Sequence, residues 1–502
     1  MLSPSRFARL KRHPSERLIG VIDIGSNSVR LVVFKGLRRR PEIFFNEKVQ
    51  CGLGRDLDET GRLADEGMEL ALETLHRFAQ LCEDMHVDEV DALATSAVRD
   101  ASNGEEFVKT LKSTFGISVT VLSGDAEAKL SAYGVASSFG VVSGLVGDLG
   151  GGSLELVGVD EGVIKESVTL PLGTVRLMDG KNINVEDLRD TVRASLEAVP
   201  WLKNYNGQDI YLVGGAWRGL AKLHQVMVNW PLPVVQGYAM DHNTSTAFLS
   251  DISATSVDNI IKTDRVASSR RAHMPLAALI LAELIDVSGT RNLHVSAHGI
   301  REGHLYKKLN HKLRRRDPYL EDCNRLAALT GRFPEHDDRL MEWTGPLFSD
   351  ETESQRRLRK AACLLSDIGW RAHPDFRGES AYYESFFGRF VGVDHYGRAF
   401  VAATLYMCYG GDVDDAFVQP ALQILSKDER QRAHRLGLAL RMGQRFTGGT
   451  VEPLKYSSLS LNTSTLALHV PQNQAHMAGS VVKKRLKALA AVFGKEPEIK
   501  LY

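Results

Sequence analysis

Two segments of the chain repeat one pattern: an apolar run, an aspartate, a small-residue turn closed by serine, and a second apolar run. The first, Val21–Val33, contains Asp23, and the second, Val146–Gly158, contains Asp148. This pattern predicts two hairpins whose tight turns expose backbone N–H groups in a concave, anion-binding arrangement. Aspartate is a natural ligand for a divalent cation. The pair therefore predicts a clamp for a phosphate chain and its metal.

The two turns differ in the residues that would contact phosphate. Glycine tolerates positive φ angles and lets backbone amides approach a ligand closely, which favours the second turn as a phosphate site. Each motif alone is also compatible with an ordinary structural hairpin, but the duplication favours phosphate binding. The predicted phosphate-binding residues are Ser26, Asn27 and Ser28 in the first turn and Gly150, Gly151, Gly152 and Ser153 in the second.

Further acidic and basic residues lie near these turns or at strand ends. Glu155 follows Ser153 by two residues, so both side chains point to one face of a strand. This position favours a role for Glu155 as a second metal ligand, or as a residue that holds metal-bound water, over a solvated strand residue. Glu127 lies in the first turn of a helix that Ser123 caps, where a carboxylate also simply complements the helix dipole. Arg99 follows a buried strand, a common place for functional groups, although a surface arginine is the default.

Alternating strands and helices predict an α/β fold with two similar zones. We expect a flexible N terminus over 1–16, a first lobe over 17–140 and a second over 141–306. The strongly basic stretch 307–316 is predicted to be a linker helix, which could guide a polyanion. Residues 317–502 show mainly helical periodicity, with a strand or two over 459–469.

Composition narrows the class of protein. The 502 residues predict two to four domains, and a formal net charge of zero argues against a surface devoted to nucleic acid. Five scattered cysteines without a C-x-x-C pair favour reduced thiols and a cytoplasmic location. No apolar run reaches membrane-spanning length. P-loop, H-E-x-x-H and G-x-S-x-G motifs are absent from the sequence.

The two hairpin motifs closely resemble those of the exopolyphosphatase/guanosine pentaphosphate phosphohydrolase family, within the actin-like superfamily. Three further stretches match the family in the expected order, namely 96–100, 123–128 and 299–303. The resemblance implies an α/β fold of two ribonuclease H-like (actin-like) lobes with a cleft between them, followed by a mainly helical, HD-like C-terminal domain. Ser366 stands where the histidine of an HD pair would be, which puts a second metal site there in doubt.

The resemblance also implies roles for individual residues. Glu127 takes the place of the family's general base, and Ala126 stands where many relatives have a second acid, leaving Glu127 as the only candidate. Asp148 and Glu155 match acids associated with Mg²⁺, and Arg99 matches an arginine that contacts phosphate. Arg271 matches a basic residue that lines the channel for the chain.

The expected activity is that of a Mg²⁺-dependent exopolyphosphatase that releases orthophosphate from the ends of inorganic polyphosphate. Hydrolysis of guanosine pentaphosphate, a non-enzymatic sensor of guanosine penta- or tetraphosphate or of polyphosphate, and an actin-like sugar kinase remain alternatives. We expect a homodimer that does not bind nucleic acid or a membrane.

Overall fold

The computed structural model describes residues 16–55, 57–178, 185–332 and 338–502. These residues form two compact units, one with residues up to 229 and 235–318, the other with 230–234 and 319–502. The predicted flexible N terminus lies, apart from Glu16, outside the described residues.

The first lobe is built on a five-stranded sheet with the strand order β3-β2-β1-β4-β5. Its first three strands are antiparallel, and β4 and β5 run parallel to β1. The strands are β1 (Leu18–Ile24), β2 (Ser28–Lys35), β3 (Glu42–Gln50), β4 (Glu89–Ala94) and β5 (Val119–Val121). The helices are α1 (Leu57–Thr60), α2 (Asp65–Asp84), α3 (Ser96–Asp100), α4 (Gly104–Phe115) and α5 (Gly124–Phe139).

The second lobe repeats this topology, as the duplicated motif predicts. Its six strands have the order β10-β11-β9-β6-β7-β8, with β6 to β8 antiparallel and β9 and β11 parallel to β6. They are β6 (Gly144–Leu149), β7 (Leu154–Asp160), β8 (Val163–Leu170), β9 (Ile210–Val213), β10 (Ala239–Met240) and β11 (Leu293–Val295). The helices are α6 (Thr174–Met178), α7 (Arg189–Glu197), α8 (Gly215–Met227), α9 (His242–Ala254), α10 (Ser268–Arg271), α11 (Met274–Ser288), α12 (Ile300–Lys308) and α13 (His311–Arg314).

Both predicted hairpins form, and their turns have the same hydrogen bond. In the first turn (residues 25–28) the Gly25 N–H donates to the Ser28 carbonyl at 3.0 Å, and in the second turn (residues 150–153) the Gly150 N–H donates to the Ser153 carbonyl at 2.9 Å. The cross-strand partners of the aspartates differ. Asp23 lies opposite Arg30, whereas Asp148 lies opposite Glu155.

Helix α5 packs between the two sheets instead of belonging to one lobe. On one side, Ala132 and Val135 pack against the second sheet, in a cluster with Val157. On the other side, Leu130 packs with Leu305 of α12 and with strands of the first sheet. The prediction that the first lobe extends to residue 140 assigns α5 to that lobe alone. Because α5 contacts both sheets, the N-terminal end of α5 is positioned by both lobes.

Glycines allow α5 and α12 to cross at close range. A Cβ atom at Gly303 would lie 1.8 Å from the Leu130 carbonyl oxygen, and one at Gly134 would lie 2.4 Å from the Gly299 carbonyl oxygen. Since no real side chain tolerates such distances, the crossing requires glycine at both positions. This explains one of the two glycines in the 299–303 motif, Gly303.

Replacing Gly303 with alanine is expected to lower the free energy of unfolding by about 1–3 kcal/mol, because the backbone of α5 must move to admit the methyl group. The control is Gly219→Ala in α8, where no atom lies within 4 Å of the added Cβ. That substitution should stabilise the helix by about 0.5–1 kcal/mol. Denaturant unfolding monitored by circular dichroism measures both, and equal effects would contradict the proposed close packing.

The basic stretch 307–316 is not the single linker helix that its sequence predicts. Helix α12 ends at Lys308, and the short helix α13 begins after Asn310, whose side chain caps it by accepting from the Leu313 N–H at 2.9 Å. The Arg314 guanidinium packs over the Tyr306 ring at 5.4 Å. These contacts hold the stretch against the first unit.

The second unit is mainly helical, as predicted, with a three-stranded sheet of order β12-β13-β14. Its helices are α14 (Pro318–Thr330), α15 (Arg339–Thr344), α16 (Glu353–Leu365), α17 (Arg377–Phe387), α18 (His395–Tyr409), α19 (Gln419–Ile424), α20 (Lys427–Thr447) and α21 (Ser480–Val492). The strands are β12 (Ser458–Leu461), β13 (Thr465–Val470) and β14 (Glu496–Leu501). At the position where the resemblance would place an HD pair, both side chains bond to the protein itself. Ser366 donates to the Cys363 carbonyl at 2.8 Å, and Asp367 accepts from the Arg332 N–H at 2.7 Å and from the Arg332 Nε at 2.8 Å.

The structure also bears on two sequence-based expectations, that of reduced cysteines and that of no membrane-spanning apolar run. All five cysteines are buried, free thiols. Among the described helices, none combines the length and the apolar character that crossing a bilayer requires.

Candidate active site

A cavity of about 240 Å³, here called the cleft cavity, is lined by the turns of both hairpins and by the starts of α5, α8 and α12. Most of the predicted site residues line it, namely Ser26, Asn27, Ser28, Glu127, Asp148, Gly150, Gly151, Ser153 and Glu155. Gly152 lines a small adjoining cavity with Ser26. Residues from distant parts of the sequence thus meet at one place.

The first and second turns approach each other closely at Gly152. A Cβ atom there would lie 2.5 Å from the Ser96 hydroxyl oxygen and 3.0 Å from the Ser26 hydroxyl oxygen. These two hydroxyl groups are themselves 3.1 Å apart and hydrogen-bonded. The absence of a side chain at Gly152 therefore lets the two lobes close on each other beside the cleft cavity.

Glu127 is a buried carboxylate at the start of α5. Ser123 caps the helix as predicted, since its hydroxyl accepts from the Ala126 N–H at 3.2 Å. The Glu127 side chain is nearly buried, and its Oε2 accepts a hydrogen bond from Arg99 Nη1 at 3.0 Å. Burial raises the pKa of Glu127 to about 7, with the Arg99 bond and charge opposing the rise and the charge of Asp148 adding to it. Such a group can exchange a proton near neutral pH.

Arg99 lies beside Glu127 but is not among the residues that line the cleft cavity. Its Nη1 also donates to the Leu122 carbonyl at 3.1 Å, and its Nε donates to Asp100 Oδ1 at 3.1 Å. These bonds fix the guanidinium against the Glu127 carboxylate. Phosphate contact by Arg99 stays a prediction, and its role as partner of Glu127 could not be recognised from sequence because 27 residues separate them.

Asp148 and Glu155 are direct cross-strand neighbours on β6 and β7, so both carboxylates project from the same face of the sheet. Asp148 accepts a hydrogen bond from the Ser131 hydroxyl. Glu155 is 2% exposed, and its Oε1 is buried without a hydrogen-bond partner among the described residues. Burial raises the pKa of Asp148, and burial together with the charges of Glu127 and Asp148 raises that of Glu155 well above its ordinary value.

This pair of acids fits the needs of a magnesium ion. Mg²⁺ is usually bound by one or two carboxylates together with water and substrate phosphates, instead of by a cage of protein ligands. In the part of the chain that the structure describes, no three His, Cys, Asp or Glu side chains group as a metal cluster. The orphaned Glu155 oxygen beside Asp148 is the observation that favours a cation here.

Five basic side chains that sequence reasoning did not assign to the site also line the cleft cavity: Arg30, Lys48, Arg218, Arg270 and Arg301. Asp23, Arg30 and Lys48 lie side by side on β1, β2 and β3. Arg301, in the 299–303 motif, approaches Asp23 with a nitrogen–oxygen distance of 3.6 Å. Two signals in the sequence could have identified members of this group: the alternation from Ser28 to Arg30 along β2, and the position of Arg301 in the 299–303 motif.

Burial and mutual repulsion lower the pKa of three of these cations, although acidic side chains also line the cavity. Burial and the positive charge of Arg301 lower the pKa of Arg30 to about 10. Burial and Arg270 lower that of Lys48, and burial and Arg301 lower that of Arg218. Like charges directly opposite each other on a sheet are destabilising. A bound polyanion would relieve this repulsion, so the arrangement indicates a site for one.

Arg271, the predicted channel residue, is not among the residues that line the cleft cavity, and its Nε is buried without a partner among the described residues. Its neighbour Arg270 lines the cavity instead, with its Cζ 3.7 Å from a Cβ atom placed at Gly215. Both residues lie on the short helix α10, where consecutive side chains point in different directions. Sequence alone could not choose between them.

The two lobes share one topology, and the turns of both lobes face a common cleft, as in actin-like proteins. The Ppx/GppA phosphatase family matches residues 32–312, more than half of the chain, and the exopolyphosphatase C-terminal family matches residues 319–499. The chain therefore belongs to the Ppx/GppA phosphatase family.

Of two similar proteins, one is named as a regulatory protein and the other as an enzyme. Retrograde regulation protein 2 of Saccharomyces cerevisiae is 26% identical over 80% of this chain and 74% of its own length. Exopolyphosphatase 1 of Mycobacterium bovis is 27% identical over 58% of this chain and 88% of its own.

Two solved structures match more than half of this chain. An exopolyphosphatase from Cytophaga hutchinsonii is 25% identical with a TM-score of 0.53, and it covers 58% of this chain and 97% of its own. The Aquifex aeolicus PPX-GPPA enzyme is 27% identical with a TM-score of 0.50, and it covers 58% and 99%. These similarities confirm the two-lobed fold.

Proposed function

We propose that this protein is a Mg²⁺-dependent exopolyphosphatase that releases orthophosphate from the ends of inorganic polyphosphate. The observation that carries the proposal is the shared cleft cavity, in which the buried Glu127 carboxylate, two amide-rich turns and five basic side chains meet. A phosphoanhydride resists hydrolysis because its anionic oxygens repel a nucleophile, so catalysis needs charge neutralisation, alignment of water and a proton acceptor. The cavity offers all three.

Each group would act at a definite point of the reaction. A water oxygen attacks the terminal phosphorus, the bridging P–O bond breaks, and its electron pair leaves with the shortened chain. Glu127 accepts the proton of the attacking water. The turn amides and the basic side chains bind the phosphate oxygens and stabilise the charge that develops on them. Arg99 Nη2 makes no hydrogen bond to a described residue, so it could donate to a phosphate oxygen next to the base.

Asp148 and Glu155 would hold the magnesium ion. When bound, Mg²⁺ neutralises phosphate oxygens and polarises the phosphoryl group. Binding of the cation would at the same time remove the energetic cost of burying the two carboxylates, one of which has an unpartnered oxygen.

Two alternatives remain proposals beside this one. Guanosine pentaphosphate offers the same phosphoanhydride chemistry, and Gly214 and Gly215 at the start of α8 give the cleft cavity a wall without bulky side chains. A regulatory, non-enzymatic role as a sensor is favoured by the name of the yeast relative, which matches 80% of this chain. Homodimer formation and a cytoplasmic location also stay predictions.

A phosphate-release assay with long polyphosphate, guanosine pentaphosphate and ATP, each with and without Mg²⁺, separates these proposals. We expect Mg²⁺-dependent release that is fastest from polyphosphate. Faster release from guanosine pentaphosphate would favour the nucleotide hydrolase. If none of the three substrates yields phosphate while polyphosphate or the nucleotide still binds, the protein is a sensor and the enzymatic proposal is wrong.

A further inference from the structure

A chain of ion pairs joins the second lobe to the Glu127 carboxylate. Arg176, on α6 of the second lobe, donates from Nη2 to Asp100 Oδ2 at 2.9 Å. The other oxygen of Asp100 accepts from Arg99 Nε at 3.1 Å, and Arg99 Nη1 in turn bonds to Glu127 at 3.0 Å. Arg176 Nε also lies 3.2 Å from Asp58 Oδ1 of the first lobe. Arg176 thus contacts the first lobe at two carboxylates, one of which leads to the base.

The backbone of Arg176 is fixed to the second turn. Its N–H donates to the Gly151 carbonyl at 3.0 Å, and the N–H of Val175 donates to the same oxygen at 2.9 Å. Gly173 makes this possible, because a Cβ atom there would lie 2.2 Å from that oxygen. The second turn, the proposed phosphate site, and the carboxylate of Glu127 are therefore linked through Arg176, Asp100 and Arg99.

From these contacts we infer that Arg176 is a positioning residue, which holds Glu127 in its reactive orientation through Asp100 and Arg99 when the two lobes are in contact. The inference rests on the proposed function, with Glu127 as the base. Its simpler competitor is an ordinary ion pair at the edge of the lobes, which would add a little stability and nothing else. The side chain of Arg176 is 20% exposed and that of Arg99 is 23% exposed, so the chain is partly shielded from water.

Steady-state kinetics of Arg176→Ala on polyphosphate test the inference. Misplacing a catalytic group lowers turnover more than it lowers binding, so we expect kcat to fall about tenfold or more while KM changes less than about threefold. The matched control is Arg193→Ala, which removes an arginine of the second lobe that pairs with Glu197, Glu283 and Asp286, away from the base. It should leave kcat within about twofold of the unmodified protein.

A double-mutant cycle separates positioning from stability. If Arg176 acts through Arg99, then Arg176→Ala should not lower kcat further in a protein that already carries Arg99→Ala. An additive loss of kcat, or an unchanged kcat with only a lower Tm, would overturn the inference. If Arg176→Ala does not fold, Arg176→Lys, which keeps the charge but loses the planar fork, replaces it in the same cycle.

Glu127→Gln distinguishes the failure of this inference from the failure of the proposed function. Turnover that survives Glu127→Gln would remove the base, and the proposal about Arg176 with it. Loss of turnover in Glu127→Gln together with a normal kcat in Arg176→Ala would overturn only the positioning role.

Discussion

Replacing Glu127 with glutamine is expected to lower kcat for polyphosphate by at least about a hundredfold, the usual contribution of a general base. Glutamine has nearly the same size and still accepts a hydrogen bond from Arg99, so the fold and the turns should be unchanged. Because the turns and the basic side chains bind the phosphates, the dissociation constant for polyphosphate should stay within about threefold of that of the unmodified protein. Phosphate release measures the first quantity and isothermal titration the second.

Asp125→Asn is the matched control for this substitution. Asp125 lies in the same helical turn but is exposed, where it bonds to Lys129 at 2.7 Å and to Ser167 at 2.8 Å. Its loss should leave kcat within about twofold. Turnover retained by Glu127→Gln, or an equal loss in Asp125→Asn, would show that Glu127 is not the base.

The pH dependence of the unmodified protein offers a second check on Glu127. Only the ionised carboxylate can accept a proton, and burial raises its pKa to about 7. Turnover should therefore fall as the pH decreases through the neutral range, and a bound cation nearby would move this limb to lower pH. A rate that stays constant down to pH 4 would contradict a base with a raised pKa.

Replacing Glu155 with glutamine is expected to have the second-largest effect, a loss of at least about a hundredfold in Mg²⁺-dependent turnover. The loss follows because Asp148 would be left as the only carboxylate for the cation.

The same substitution, Glu155→Gln, should stabilise the metal-free protein. When the pKa of an acid is higher in the folded than in the unfolded state, the protein loses stability as the pH rises from the unfolded-state pKa to the folded-state pKa. At neutral pH Glu155 carries this cost, and glutamine removes it.

Thermal unfolding with and without Mg²⁺ checks this second prediction independently of turnover. Mg²⁺ should raise the Tm of the unmodified protein and have little effect on Glu155→Gln. Without Mg²⁺, the variant should unfold at a higher temperature, by about 2–4 °C for each kcal/mol gained. Glu105→Gln, which changes an exposed acid paired with Lys109 at 2.8 Å, is the control. A Mg²⁺ response that survives in Glu155→Gln would exclude Glu155 as a ligand.

The sequence by itself determined the features that depend on local chemistry. The small-residue turns between apolar runs were enough to predict both hairpins, and their duplication was enough to predict two lobes with one topology. Ser123 was recognised as a helix cap because an N-cap bond needs only neighbouring residues. The hairpins and the helix cap are each decided by residues that lie close together in the sequence.

The tertiary structure decided which side chains share the site. Arg30, Lys48, Arg218, Arg270 and Arg301 come from five different elements, and no local pattern indicates that they meet in one cavity. The sequence left Glu127 between a base and a helix-dipole partner, and its burial, with Arg99 bonded to it, came only from the packing of α5 between two sheets. The position of a charged side chain on an element follows from local periodicity. Its desolvation and its charged neighbours follow from contacts between residues far apart in the chain, and these set its chemistry.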